Sequence, residues 1–247
     1  IYRKQEAYKT HASMSPDKME LLAMENSNIL ATFIEGNGVV HDLILRDTNT
    51  DHLIPSPYPF GWVWYAFGAG WRVEEISEAG DRVWARVVGK HPVDGTPLVM
   101  TWSLNEGDNH ITIDIDTGEA GPVSSAFYMM SRIGLDGVGE RSIWPTADGL
   151  QELKWRGGRR DVPVTDLSEG WMAVQDDVTG QTFGCLFDFP TLQSVSVRPG
   201  DNNFNYMVFQ PNPEVPIGDI TFALSATSGG VERVQELYQK LGFQWSH

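Results

Sequence analysis

The sequence predicts an all-β protein, a large antiparallel β-sandwich closed by one C-terminal α-helix. Three observations carry this. Short runs rich in Ile, Val, Phe and Thr recur between Gly- and Asn-marked turns from residue 20 onward. Several of these runs alternate apolar and polar residues with period two, the mark of a strand with one buried face. Helical spacing is found once, near the C-terminus, where Val231, Val234, Leu237, Tyr238 and Leu241 repeat.

Residues 1–18 are polar, carry Lys4, Lys9 and Lys18, and read as an arm or linker. Within them Ser15-Pro16 is suited to starting a short helix. The remainder, 19–247, reads as a single domain. Strands are expected at 20–24, 29–34 and 39–45, separated by Asn26-Ser27-Asn28 and Gly36-Asn37-Gly38 and closed by the turn 47–51. A loop with Pro55, Pro57 and Pro59 leads into the aromatic stretch 60–71. Strands follow at 71–78 and 82–89. A clear hairpin comes next: Leu98, Met100, Trp102 and Leu104 face one way, as do Ile111, Ile113 and Ile115 across the turn 105–109. Another strand is expected at 124–132. Residues 135–170 look loop-rich because glycines and Pro145 interrupt them. Strands resume at 171–176, 182–188, 193–197, 205–210 and 219–226. Ser228 is placed to cap the helix and Gly242 to stop it. About fifteen short strands and one terminal helix suit one sandwich domain, and 247 residues suffice for a substantial core.

The formal net charge of −15 disfavours nucleic acid, whose binding depends on neutralising phosphates, and an anionic membrane surface. No apolar run reaches the length of a spanning helix. The single cysteine, Cys185, lies in an apolar run and reads as a buried, inert thiol. It leaves the compartment open, with an extracellular or periplasmic home favoured.

The order of the opening strands, with an Asn after the first, a Gly-marked turn and a strand ending in Leu, resembles the galactose-mutarotase-like supersandwich superfamily. That resemblance implies a carbohydrate ligand and three possible chemistries: sugar epimerisation, glycoside hydrolysis and polysaccharide lysis. The segment from Asn205 to Asp219 is similar to the late strand and loop where an aldose epimerase carries its catalytic Glu, but here Gln210 stands at that place, and an amide does not serve as a general base. The stretch 127–134, which matches the region of the epimerase His, holds Ser131 and Arg132 instead. The resemblance therefore implies a sugar-binding sandwich of a carbohydrate-active system without epimerase activity.

The residues add their own candidates. Lys154-Trp155-Arg156-Gly157-Gly158-Arg159-Arg160 places four basic residues within seven positions of an acidic chain. Guanidinium groups grip carboxylate or sulfate through paired hydrogen bonds, so Arg156, Arg159 and Arg160 suit an acidic saccharide, with Trp155 to stack on its ring. The competing reading is a solvated loop whose arginines pair with Glu152, Asp161 or Asp166. Trp62 and Trp64 share one face of an expected strand and offer a second platform. Were the protein an enzyme, Glu214, His110 and Asp114 would be the catalytic candidates; Asp116 and Asp188 complete the carboxylate pool for a hydrolase. A lyase would draw on Tyr128 or His110 with Arg159. His110, Asp114 and Asp116 alternate along one strand face. The six histidines are scattered without metal-ligand spacing, so no metal and no cofactor is expected. A third possibility is an assembly module meeting other domains of a longer polypeptide or a second copy of itself.

Overall fold

The computed structural model describes residues 2–6, 20–34, 39–53, 69–90, 95–116, 127–131, 133, 139–188, 192–201, 204–212 and 220–243. They form an antiparallel β-sandwich with one α-helix, the expected class. The strands are β1 (Tyr2–Glu6), β2 (Glu20–Glu25), β3 (Ile29–Ile34), β4 (Val39–Leu45), β5 (Thr50–Asp51), β6 (Ala69–Ala79), β7 (Arg82–Lys90), β8 (Pro97–Asn105) and β9 (His110–Asp116). They continue with β10 (Phe127–Ser131), β11 (Glu140–Thr146), β12 (Gly149–Lys154), β13 (Arg160–Pro163), β14 (Trp171–Asp176), β15 (Gln181–Asp188), β16 (Leu192–Asp201), β17 (Phe204–Pro211) and β18 (Ile220–Ser228), followed by α1 (Glu232–Leu241).

One layer is a nine-stranded sheet in the order β12-β11-β14-β15-β18-β9-β8-β7-β6. The other layer comprises a five-stranded sheet, β1 to β5 in order, and a four-stranded sheet, β10-β17-β16-β13. A single core cluster joins all three. Phe33 of the five-stranded sheet meets Trp102 edge to face at 4.8 Å, and Phe209 of the four-stranded sheet does the same with Phe187 at 5.0 Å. The period-two pattern is responsible: Leu98, Met100, Trp102, Ile111, Ile113 and Ile115 all point inward and are at most 1% exposed.

Strands β14, β15 and β18 are buried on both faces, which is why their sequences run apolar instead of alternating. Phe183, Cys185 and Phe187 enter the core, while Trp171, Ala173, Leu186 and Ala223 form a second cluster with Val234, Leu237 and Tyr238 of α1. Cys185 is fully buried, and burial pushes its thiol well above the ordinary range. Gly184 permits the helix to come close. A Cβ there would stand 2.5 Å from Ser225 Oγ and 2.8 Å from a Val234 methyl. Gly184→Ala is therefore expected to destabilise by about 1–3 kcal/mol through overpacking, read as a lowered urea midpoint at unchanged slope.

Within the stretch read as an arm, β1 pairs with β2 from Tyr2 opposite Met24 to Glu6 opposite Glu20, although its sequence YRKQE shows no apolar alternation. Two expectations need correction. The region read as loop holds β11, β12, β13 and a short 3-10 turn over Val164–Asp166. Its glycines mark turns between very short strands, and β12 is exposed at nearly every position, so no buried face could leave a periodic signal. Ser228 does not cap α1: it ends β18 and donates from Oγ to Asp47 at 3.2 Å, while Val231 begins the helix without a side-chain cap. Gly242 ends the helix in the left-handed conformation at φ 67°, as expected. The helix suggested at Ser15-Pro16 lies outside the described residues.

Candidate functional site

The basic loop connects β12 to β13 and is locked onto the hairpin between β16 and β17. Trp155 N–H donates to Glu140 O at 3.0 Å, Arg156 N–H to Pro199 O at 2.8 Å and Gly157 N–H to Lys154 O at 2.8 Å. Arg156 is held in the left-handed region at φ 59°, a conformation costly for a residue with a side chain and often seen where a ligand is gripped. Gly200, at φ 79°, closes the contact from the other side. A Cβ there would lie 2.8 Å from Arg156 N and 3.1 Å from Trp155 Cδ2, so only glycine lets the two turns interlock.

The result is a cleft of about 380 Å³ lined by Arg156, Gly158, Arg159, Arg198, Pro199 and Gly200. Three arginines thus line one cleft in an acidic chain. Arg159 pairs through Nε with Asp161 at 2.8 Å, in line with the competing reading, but both groups are about half exposed. Arg159, with Ser196 and Arg198, holds the Asp161 carboxyl below its ordinary range. Arg198 donates from Nε to Ser196 Oγ at 3.1 Å. These two bonds engage only the Nε edges of Arg159 and Arg198. Glu152 pairs with Arg141 rather than with the loop. Arg160 begins β13 opposite Val197, is exposed, and does not line the cleft. Trp155 is half-buried with its ring against Gly200.

Arg198 is the residue that sequence reading missed. It lies 38 positions from Arg160, and its strand places it beside the loop only because β13 pairs with β16, Arg160 opposite Val197. The one signal in the sequence is the Arg-Pro-Gly triplet at 198–200, which reads as an ordinary turn.

Of the enzyme candidates, the described His110 and Asp114 stand apart on β9. His110 opens β9 and is 4% exposed, with Nε2 3.8 Å from Asp108 Oδ2; burial lowers its pKa. Lys240 of α1 reaches the same Asp108 at 3.3 Å. Asp114 is exposed about 13 Å along the strand from His110 and accepts a bond from Thr221 Oγ1 at 2.8 Å. The face expected to be wet is therefore wet only toward Asp114 and Asp116. Glu214, Trp62 and Trp64 lie outside the described residues. The two stretches matched to the epimerase catalytic positions are neighbours, since β10 pairs with β17 with Phe127 opposite Phe209 and Ser131 opposite Asn205. Gln210, directly after Phe209, is half-buried and accepts from Ser194 Oγ at 3.4 Å. Among the described residues no three of His, Cys, Asp and Glu gather as a metal-ligand set.

Comparison with solved structures identifies the fold. The chain is similar to part of the α-N-acetylgalactosaminidase NagBb from Bifidobacterium bifidum, with a TM-score of 0.63 and 8% identity over 89% of this chain and 38% of that one. It is similar to a TPR-domain containing protein from Parabacteroides distasonis, with a TM-score of 0.60 and 11% identity over 87% of this chain and 48% of that one. A protein from Salmonella typhimurium described as a candidate mutarotase, YeaD, gives a TM-score of 0.56 and 10% identity over 92% of this chain and 94% of that one. The chain spans about half the length of the Parabacteroides protein and less of NagBb. At these identities the likeness shows a shared sandwich fold, one that also occurs in sugar-acting proteins. No family model and no curated protein sequence matches the chain.

Proposed function

We propose that this protein is a carbohydrate-binding β-sandwich of the galactose-mutarotase-like kind, serving a carbohydrate-active system and recognising an acidic saccharide in the guanidinium cleft. The observation that carries this reading is the convergence of Arg156, Arg159 and Arg198 on one cleft in a chain of net charge −15. A protein this acidic repels anions at long range, so a fixed cluster of arginines is a local exception with a chemical purpose. Guanidinium groups bind carboxylate or sulfate through two parallel hydrogen bonds, and the Nε bonds of Arg159 to Asp161 and of Arg198 to Ser196 restrain two of the three before any ligand arrives. The sandwich fold, shared with an α-N-acetylgalactosaminidase and a candidate mutarotase, supports a sugar as the carrier of that anion. Gln210 at the epimerase Glu position supports binding without epimerisation.

A glycan-binding screen that includes uronates and sulfated sugars tests the reading. Arg198→Ala and Arg156→Ala are each expected to weaken binding of the acidic ligand by about tenfold or more, the loss of one charge-assisted contact. Binding should also fall as salt is raised from about 0.05 to 0.5 M, because the cleft is open to solvent. Binding confined to neutral sugars, or unchanged in both variants, overturns the cleft as the site. Release of shortened products would replace the binding role by a catalytic one.

A further inference from the structure

The cleft supplies charge but, apart from Pro199, no flat apolar surface, and Trp155 is committed to Gly200. A sugar ring needs such a surface, and one lies next to the cleft. In the register of β16 and β17, Arg198 stands directly opposite Tyr206. Directly opposed residues in an antiparallel pair emerge on the same face with their Cβ atoms about 5 Å apart. Val195, Val197, Met207 and Phe209 of these strands enter the core, so Arg198 and Tyr206 rise from the opposite, outer face. Phe204 shares that face and packs against Tyr206 with ring centroids 6.3 Å apart at 83°, an edge-to-face contact that fixes the tyrosine ring. Both residues are half-buried, so neither is closed off from solvent.

We infer that Arg156, Arg159 and Arg198 form one end of a longer track whose second part is Tyr206 braced by Phe204, and that the ligand is an acidic oligosaccharide rather than a single sugar. The anionic group sits among the guanidiniums, and the apolar face of the adjoining ring stacks on Tyr206. This rests on the cleft reading above and adds the length and the stacking requirement of the ligand. The spacing supports it. Arg159 precedes β13, Arg198 lies on β16 and Tyr206 on β17, so the row crosses two inter-strand steps of about 4.8 Å, more than one pyranose ring spans. Asp161 sits on this face as well, its carboxylate held by Arg159 and Ser196.

Calorimetric titration of monosaccharide and trisaccharide pairs, in galacturonate and in sulfated series, tests the proposal with wild type, Arg198→Ala, Tyr206→Ala and Tyr206→Phe. For the series that binds, wild type is expected to prefer the trisaccharide by about tenfold or more. Tyr206→Ala should erase that preference, bringing the ratio of trisaccharide to monosaccharide affinity to about one. Tyr206→Phe should keep it, because the ring and not the hydroxyl makes the platform, and this variant also controls for folding. A trisaccharide preference that survives Tyr206→Ala, or is absent from wild type, overturns the track while leaving the cleft. Arg198→Ala without effect on either ligand, or no binding in either series, overturns the cleft and the track together.

Discussion

Asn26→Ala is expected to lower the free energy of unfolding by about 4 kcal/mol, a large fraction of the stability of a domain this size. Asn26 is 7% exposed and all four of its side-chain hydrogen-bonding positions are used. Its Oδ1 accepts from Asn28 N–H and Ile29 N–H, both at 2.8 Å, which shapes the turn between β2 and β3. Its Nδ2 donates to Asn105 O and Asp108 O, both at 2.7 Å, which ties that turn to the one between β8 and β9 in the facing sheet. Alanine removes four bonds of roughly 1 kcal/mol each and leaves the buried Ile29 amide without that acceptor. Asn26→Asp separates the two halves. It keeps the local acceptor but turns both donors into a negative group facing two carbonyls, so it should be at least as damaging despite its identical shape. Urea denaturation of both variants measures this. A loss below about 1 kcal/mol for either would mean that the inter-sheet tie is dispensable.

The second large effect is a loss of stability in mild acid. His52, fully buried at the end of β5, has Nδ1 3.2 Å from the Thr50 carbonyl; a carbonyl only accepts, so Nδ1 carries the proton and charging must occur at the buried Nε2. Burial lowers its pKa to about 4, against opposing contributions from Thr50 and Asp47. Between pH 6.5 and 4 the unfolded chain therefore binds a proton that the folded chain refuses, and folding stability falls as pH falls. The slope is about 1.4 kcal/mol per pH unit, or about 3 kcal/mol across the window, with no dependence from this group above it. Burial shifts His110 in the same direction, whereas Asp188, whose carboxyl burial raises, acts in the opposite sense. His52→Phe, neutral at every pH, should flatten the profile of urea midpoints between pH 7.5 and 4.5. An unchanged slope in that variant would assign the acid sensitivity to other groups.

How much of this was legible in the chain differs from element to element. The hairpin of β8 and β9 was readable because one face is core and the turn carries Asn and Gly, and both effects act between near neighbours. The same held for the opening strands β2, β3 and β4, whose bounds match the expected ones to within a residue. β12 was invisible because it buries almost nothing, so it is held chiefly by its backbone pairing with β11. β1 was invisible because its sequence YRKQE carries no apolar alternation, and it is seen only in its pairing with β2. Ser228 shows the opposite failure: its residue type suits a helix cap, but strand pairing with β15 reached Ser228 opposite Gln181 and claimed it first.

At the candidate site, the chain by itself determined where arginines and glycines cluster, from Lys154 to Arg160, and that the protein around them is acidic. Glycine spacing and charge are local properties, written in consecutive residues. Only the tertiary structure decided which of those arginines share a cleft, that Arg198 joins them, that Trp155 packs against Gly200 and that Tyr206 stands beside the cleft. It also buried His110 and left Asp114 exposed on the same face of β9. The physical reason is sheet pairing. Contacts between β13, β16 and β17 set these neighbours, and they depend on which strands bury their apolar faces together across tens of residues, a balance that no single stretch of sequence contains.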